Sequence, residues 1–205
     1  MNKIIKLIKE KRRKDILSKP LPKYKKIFLM LPKKGKFLDA GCGNANLSKY
    51  LLFKNPNLKI IGCDINKFIK YNHANFIYFN KNLNRGFSFK RKFDVIIFAD
   101  VLEHLKNPEK ILEQASKYTN QFILSIPNLE FFVYKLFPKL ENPPKKESQH
   151  LHHWKYFQFI KILPKNFKIV KKEYCSDFPE FRWFNELFPK SSFFNQTLII
   201  GLVKK

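Results

Sequence analysis

Apolar positions in this 205-residue chain come in short runs, set apart by lysine- and asparagine-rich turns. Seven runs are four to eight residues long and rich in β-branched and aromatic side chains. They fall at 36–40, 58–63, 75–79, 92–99, 121–126, 168–174 and 196–203. Runs this short, flanked by Gly, Pro and Asn, predict strands. Between them the spacing predicts helices near 23–31, 47–53, 66–73, 107–115, 129–137 and 156–163. Asn107-Pro108 opens one of these, with Pro in the first turn and Ile111, Leu112 and Ala115 facing inward. Strand then helix, repeated five times, predicts an α/β fold with a doubly wound parallel sheet and helices on both faces. The run 92–99, led by an aromatic and an acid, is apolar throughout and reads as a buried central strand. Residues 3–17 place Ile4, Ile5, Leu7, Ile8 and Leu17 among lysines, as in a basic helix packed on the domain. Pro20 and Pro22 then interrupt the chain.

The first strand runs into Asp39-Ala40-Gly41-Cys42-Gly43-Asn44-Ala45-Asn46, and a helix follows. Glycines between a strand and a helix let a ligand approach bare backbone and the open N–H groups of the helix start. A dinucleotide site would need a third glycine where Asn46 stands. It would also leave Asp39 without a role, whereas a carboxylate there suits a ligand that carries positive charge. Asp64 ends the second strand, 21 residues after Gly43, where a carboxylate can accept from two ribose hydroxyls.

Leu38-Asp-Ala-Gly-Cys-Gly43 resembles the first motif of class I S-adenosylmethionine (SAM) methyltransferases, with Ala45 where many members have a further glycine. Asn82-Leu83 is similar to the Asp-Leu pair that contacts adenine in that family. The stretch from Phe93 through Asp100-Val-Leu-Glu-His-Leu105, and then Leu124-Ser-Ile-Pro-Asn128, resemble the fourth and fifth motifs. The likeness covers about residues 36–128 and is of the type 11/type 12 kind. It implies a mostly parallel seven-stranded sheet with an antiparallel last strand, and SAM as cofactor. Carried over residue by residue, Asp39, Gly41, Gly43 and Asp100 would face the amino-acid end of SAM. Asp64 would hold the ribose, Ile65 would wall the adenine, and Asn82 would accept from the adenine amino group. In the family, an insert after strand five, here about 129–157, often covers the substrate.

Composition adds a charge of +25, made by 36 lysines against five arginines. Such a chain attracts anions. The lysines are spread over the whole length, however, and Asn, Ile and Phe are also abundant. Coding bias is therefore the favoured cause, with nucleic acid and anionic membrane surfaces kept as lesser partners. No apolar run has the length of a membrane span, and residues 1–14 lack a signal-peptide pattern. Cys42, Cys63 and Cys175 have neither metal spacing nor a disulfide framework. Cytoplasm is the expectation, as is a single domain over 1–205 with a basic helix at 1–18.

Methyl transfer needs the acceptor held in line and often deprotonated. Histidine suits that task, and His104, His152 and His153 are the candidate proton acceptors, with His150 in the same segment. Asp100-x-x-Glu103-His104 plus a later His is also similar to the metal-binding arrangement of small-RNA 2′-O-methyltransferases and ubiquinone-pathway O-methyltransferases. Asp100 stands there in place of Glu, and the reading without a metal is preferred. Together these features point to a SAM-dependent O-methyltransferase for a small or lipid-like acceptor. The alternatives are an RNA-directed methyltransferase and a non-catalytic SAM-binding protein, with a dinucleotide oxidoreductase well behind.

Overall fold

The structure is a computed structural model that describes residues 20–136, 150–177 and 181–205. The expected helix at 3–17 and the proline-bearing stretch 138–149 lie outside the described residues. Seven strands form one sheet: β1 Lys36–Ala40, β2 Lys59–Asp64, β3 Phe76–Asn80, β4 Val95–Ala99, β5 Gln121–Pro127, β6 Phe167–Cys175 and β7 Thr197–Lys204. Their order is β3-β2-β1-β4-β5-β7-β6. β1 to β5 pair in parallel and β7 runs antiparallel to both β5 and β6. This is the fold class that the sequence resemblance implied.

Among the described residues six α-helices accompany the sheet: α1 Pro22–Met30, α2 Asn46–Lys54, α3 Pro108–Ala115, α4 Phe132–Leu136, α5 Tyr156–Phe159 and α6 Phe184–Leu187. Alternate strand residues point to opposite faces, and each face has its own core. Leu38, Ile96, Phe98, Phe122 and Leu124 pack on Ile111, Leu112 and Ala115 of α3 and on Phe159 of α5. Phe37, Ile60, Val95, Ile97, Ile123 and Ile199 pack instead on Ile27 of α1 and on Leu47, Leu51 and Leu52 of α2. Each fully buried side chain of this size contributes roughly 1.5–3 kcal/mol. The central strands are apolar on both sides because helices cover both sides. Asn107 caps α3 by accepting from the Lys110 N–H at 3.0 Å, and Pro108 takes the position that needs no donor.

Two expectations need correction. Residues 66–73 form no helix, and the connection from β3 to β4 contains only a 3₁₀ turn, Leu83–Arg85. The strand–helix repeat is therefore interrupted between β2 and β4. In the first segment, side chains of β3 take the backbone carbonyls that a helix would use. Asn80 Nδ2 donates to the carbonyls of Ile65 and Asn66 at 2.8 and 2.6 Å, and the Tyr78 hydroxyl also donates to Asn66. In the second, aromatic side chains fill the space of the missing helix. Phe87 packs on Phe89 with ring centroids at 5.0 Å, and Phe89 on Phe93 at 5.3 Å.

Gly62 of β2 has no room for a side chain, since a Cβ would lie 2.7 Å from Phe76 and 2.9 Å from Cys42 Sγ. Gly62→Ala should therefore destabilise the protein by about 1–3 kcal/mol through overpacking. Urea unfolding checks this, with Phe76→Leu in the same chain recovering part of the loss.

Candidate active site at the carboxyl edge of the sheet

β1, β2 and β4 end side by side, and the acids of the sequence motifs collect at that edge. The turn after β1 is built by the ends of its neighbours. Gly41 and Cys42 both donate their N–H to the Cys63 carbonyl, at 2.7 and 3.0 Å. Gly41 has φ +77°, and a Cβ there would strike Val101 at 2.6 Å. Gly43 has φ +52°, and a Cβ there would meet nothing within 4 Å, so its backbone faces open space. Ala45 is also left-handed, at φ 58°. The departure from glycine at that position therefore costs roughly 1 kcal/mol of backbone strain.

Asp64 closes the turn from the β2 side. Its Oδ2 accepts the Gly43 N–H at 2.8 Å and its Oδ1 accepts the Asn66 N–H at 3.1 Å. Ile65 and Phe68, 70% and 74% exposed, follow at once and offer apolar surface beside this carboxylate. Asn82 lies past β3, and its Oδ1 accepts from the Asn84 N–H at 2.9 Å. That contact leaves one lone pair of the amide oxygen for a ligand.

Asp39 lies beneath the turn and is buried. It accepts from the Ser48 hydroxyl of α2 at 2.6 Å. Desolvation pushes its pKa up to about 6 against that hydrogen bond, and the Asp64 charge adds to the rise. Asp100, just past β4, is held in the left-handed region at φ 56°. Its Oδ1 accepts from Ser125 at 2.6 Å and its Oδ2 pairs with the Lys23 ammonium of α1. Burial alone would raise the Asp100 pKa, but Lys23, Ser125 and the nearby His150 hold it below the usual value. Lys23 also pairs with Asp177 beyond β6, Nζ to Oδ2 at 3.1 Å. Burial opposes the charge on Lys23, and the two carboxylates outweigh it, so its pKa lies well above the ordinary value.

A second group adjoins Asp100. Glu103, His104 and His150 place one ligand atom each within 4.8 Å of one another. The His104 and His150 rings are 4.8 Å apart, and His153 lies 6.0 Å from His150. The segment is fastened by the Leu151 N–H, which donates to the Glu103 carbonyl at 2.7 Å. His152 turns elsewhere, with Nε2 2.8 Å from the Leu105 carbonyl and its ring stacked on Trp154 at 5.0 Å. Of the expected histidines, the structure gathers His104 and His153 around His150 and engages His152 outside the group. Two carboxylate-bound groups had no signal in the sequence. Lys23, 77 residues before Asp100, bridges it to Asp177, 77 residues after it, and this bridge exists only in three dimensions.

Residues 9–171 match the family described as Methyltransferase domain. The chain belongs to this methyltransferase family. It is a SAM-dependent enzyme, and SAM is its cofactor. No curated relative matches the sequence. Among solved structures the methyltransferase is similar to a TehB-like SAM-dependent methyltransferase from Corynebacterium glutamicum. The identity is 16% and the TM-score 0.64, over 96% of this chain and 95% of that one. It is also similar to a SAM-dependent methyltransferase from Clostridium acetobutylicum, at 15% identity and TM-score 0.62, over 92% and 94%. The plantazolicin methyltransferase BpumL, solved in complex with a monoazolic desmethylPZN analog and S-adenosylhomocysteine (SAH), matches at 16% identity and TM-score 0.59, over 83% and 76%. At these identities the likeness is one of fold.

The residues of the methyltransferase's own edge fit SAM. Bare backbone at Gly43 adjoins a fixed carboxylate and exposed apolar surface, and further acids lie nearby for a cationic ligand. Asp39 has a folded-state pKa of about 6 against an ordinary 3.8. The native state therefore holds this proton where the unfolded chain has released it. Stability from this group falls as pH rises from 3.8 to 6 and is flat above. Asp39→Asn should raise stability at pH 8 by on the order of 2 kcal/mol and remove that fall. Urea midpoints of both proteins at pH 5 and pH 8 measure it. Lys23→Met leaves the buried Asp177 and the partly exposed Asp100 without their cation and should cost about 1–3 kcal/mol by the same assay at pH 8.

Proposed function

We propose that this methyltransferase methylates a hydroxyl oxygen of a small or lipid-like acceptor. The observation that carries the reading is the imidazole group, His104 and His150 with His153 behind, next to Asp100 on the donor edge. SAM supplies an electrophilic methyl at a sulfonium. Everything else falls to the chain: holding the donor, aligning the acceptor and taking its proton. In this reading Gly41 and Gly43 pack against the donor with bare backbone, and Asp64 accepts from its ribose hydroxyls. Ile65 lies along the adenine, and the free lone pair of Asn82 Oδ1 accepts from its amino group. Asp39 and Asp100 provide negative potential for the cationic end. His104 or His153, linked through His150, receives the acceptor proton, and His152 holds the segment in place from the Leu105 carbonyl.

Apolar surface supports the choice of acceptor. α4 follows β5, and the 181–196 stretch precedes β7, so both lie over the same edge. Phe132 stacks on Phe193 at 5.5 Å, Phe131 packs on Phe181 at 5.7 Å, and Trp183, Leu187 and Phe193 are about half exposed or more. An aromatic layer of this kind suits an acceptor with an apolar body. The segment 129–157 is proposed to cover it.

A second reading keeps the same reaction and adds a divalent ion. Glu103, His104 and His150 offer one oxygen and two nitrogens within 4.8 Å, a donor set that suits Zn²⁺ or Mn²⁺. An ion held there would lower the pKa of an acceptor hydroxyl.

Calorimetric titration with SAH, with NADH in parallel, should show binding of SAH alone. Asp64→Ala should weaken it at least about tenfold, or about 1.4 kcal/mol. An unchanged affinity removes the ribose role. His104→Ala and His150→Ala should lower turnover of phenolic or lipid-like hydroxyl acceptors while sparing SAH binding. Loss of turnover on chelation, with recovery on adding Zn²⁺ or Mn²⁺, decides for the second reading.

A further inference from the structure

The opposite edge of the sheet, where the parallel strands begin, carries a feature that methyl transfer does not use. A cavity of about 750 Å³ opens there, lined by Lys34, Lys36, Lys59, Lys92, Lys117 and Lys204. A second, of about 640 Å³, shares Lys117 and Lys204 and adds Lys161 and Lys165, with Glu109 and Glu113 on its wall. All eight of these lysines are exposed. Among the described residues, none of them forms an ion pair. Asp94 is the one carboxylate in the first cavity, and its Oδ2 already accepts the Lys36 N–H at 2.7 Å.

The lysines follow from the topology. Lys59 of β2 lies opposite Lys36 of β1, and Lys36 in turn neighbours Asp94 at the head of β4. Lys92 precedes β4, and Lys117 precedes β5. Lys204 ends the antiparallel β7 at this same edge, and Lys165 precedes β6. Adjacent strands are about 4.8 Å apart, so a row from β2 to β6 is about 24 Å long. A nucleic-acid helix carries a phosphate per strand about every 3.4 Å, so that row faces about seven phosphates of one strand. No large exposed apolar side chain lines either cavity: Phe93 in the first is buried and Tyr118 partly so, and Ile162 and Leu163 in the second are partly buried. A membrane-surface site would present apolar anchors. A concave, lysine-lined edge fits a chain of phosphates better than a flat bilayer.

We infer that the amino edge of the sheet is a docking face for the RNA backbone, held by Lys36, Lys59, Lys92 and Lys204 through charge and without reading sequence. The face lies across the sheet from the donor site, so the inference does not rest on the acceptor proposed above. The whole chain is needed for the test. Fluorescence anisotropy with a labelled single-stranded RNA of about 20 nucleotides is followed against salt concentration. The triple variant Lys36→Gln, Lys59→Gln, Lys204→Gln should bind roughly tenfold more weakly near 100 mM salt, with a log–log salt slope shallower by about 2. A control triple, Lys25→Gln, Lys54→Gln, Lys110→Gln, removes the same charge from exposed lysines elsewhere and should change affinity much less. Equal losses in the two triples mean that net charge alone attracts RNA and overturn the face. So does an unchanged affinity in the first triple, or a loss of binding to phosphatidylserine-rich vesicles with RNA binding intact. SAH affinity, read in both triples, should be unchanged and shows that the fold survives.

Discussion

The carboxyl edge of the sheet depends on one knot of hydrogen bonds between neighbouring strands. The chain leaves β1 through a turn whose first two amides converge on the Cys63 carbonyl, and whose third glycine-side amide meets the Asp64 carboxylate. Without the knot, the glycines would be a loose loop, and Asp64 would be an ordinary surface acid. With it, a carboxylate, bare backbone and the start of α2 hold fixed positions relative to one another. Gly41 is required because Val101 fills the space of its missing side chain, and Gly43 because its backbone is left-handed at φ +52°. The knot works only in a parallel pair, where both strands deliver their ends to the same side.

Charge is sorted across this sheet. Asp39, Asp64, Asp100 and Asp177 collect where the parallel strands end, and exposed lysines collect where they begin. The acids are treated differently by their surroundings. Asp39 is starved of solvent and eased by a single hydroxyl, so its charge is held at a cost to stability. Asp100 has an ammonium and a hydroxyl of its own and keeps its charge readily. A site for a cationic ligand therefore combines a strained acid with a settled one.

The fold was largely legible because buried parallel strands write themselves as unbroken apolar runs, and the glycine turn and Asp64 fall at fixed spacing around the first two. What failed was local. The 66–73 segment has some helical spacing, but Tyr78 and Asn80, on a strand not yet formed in any local reading, capture its carbonyls. The Lys23–Asp100–Asp177 bridge was invisible because it joins three elements distant in sequence. The lysine edge was hidden for the same reason. Spread between positions 34 and 204, its members resemble compositional drift until the sheet aligns their strands. Among the histidines, sequence named His104, His152 and His153 as candidates but could not tell that His150 lies between His104 and His153 and that His152 faces Leu105.

Cys42 lies inside the glycine turn, where an exposed thiol would be a candidate nucleophile. Burial pushes it well above the ordinary range, and the Asp39 and Asp64 charges push it further. Cys63 is driven to about 12 by burial, and Cys175 is raised as well. Thiolate is the form that attacks, exchanges and oxidises. The three buried sulfurs, held as thiols, therefore serve as small apolar fillers rather than as reactive groups.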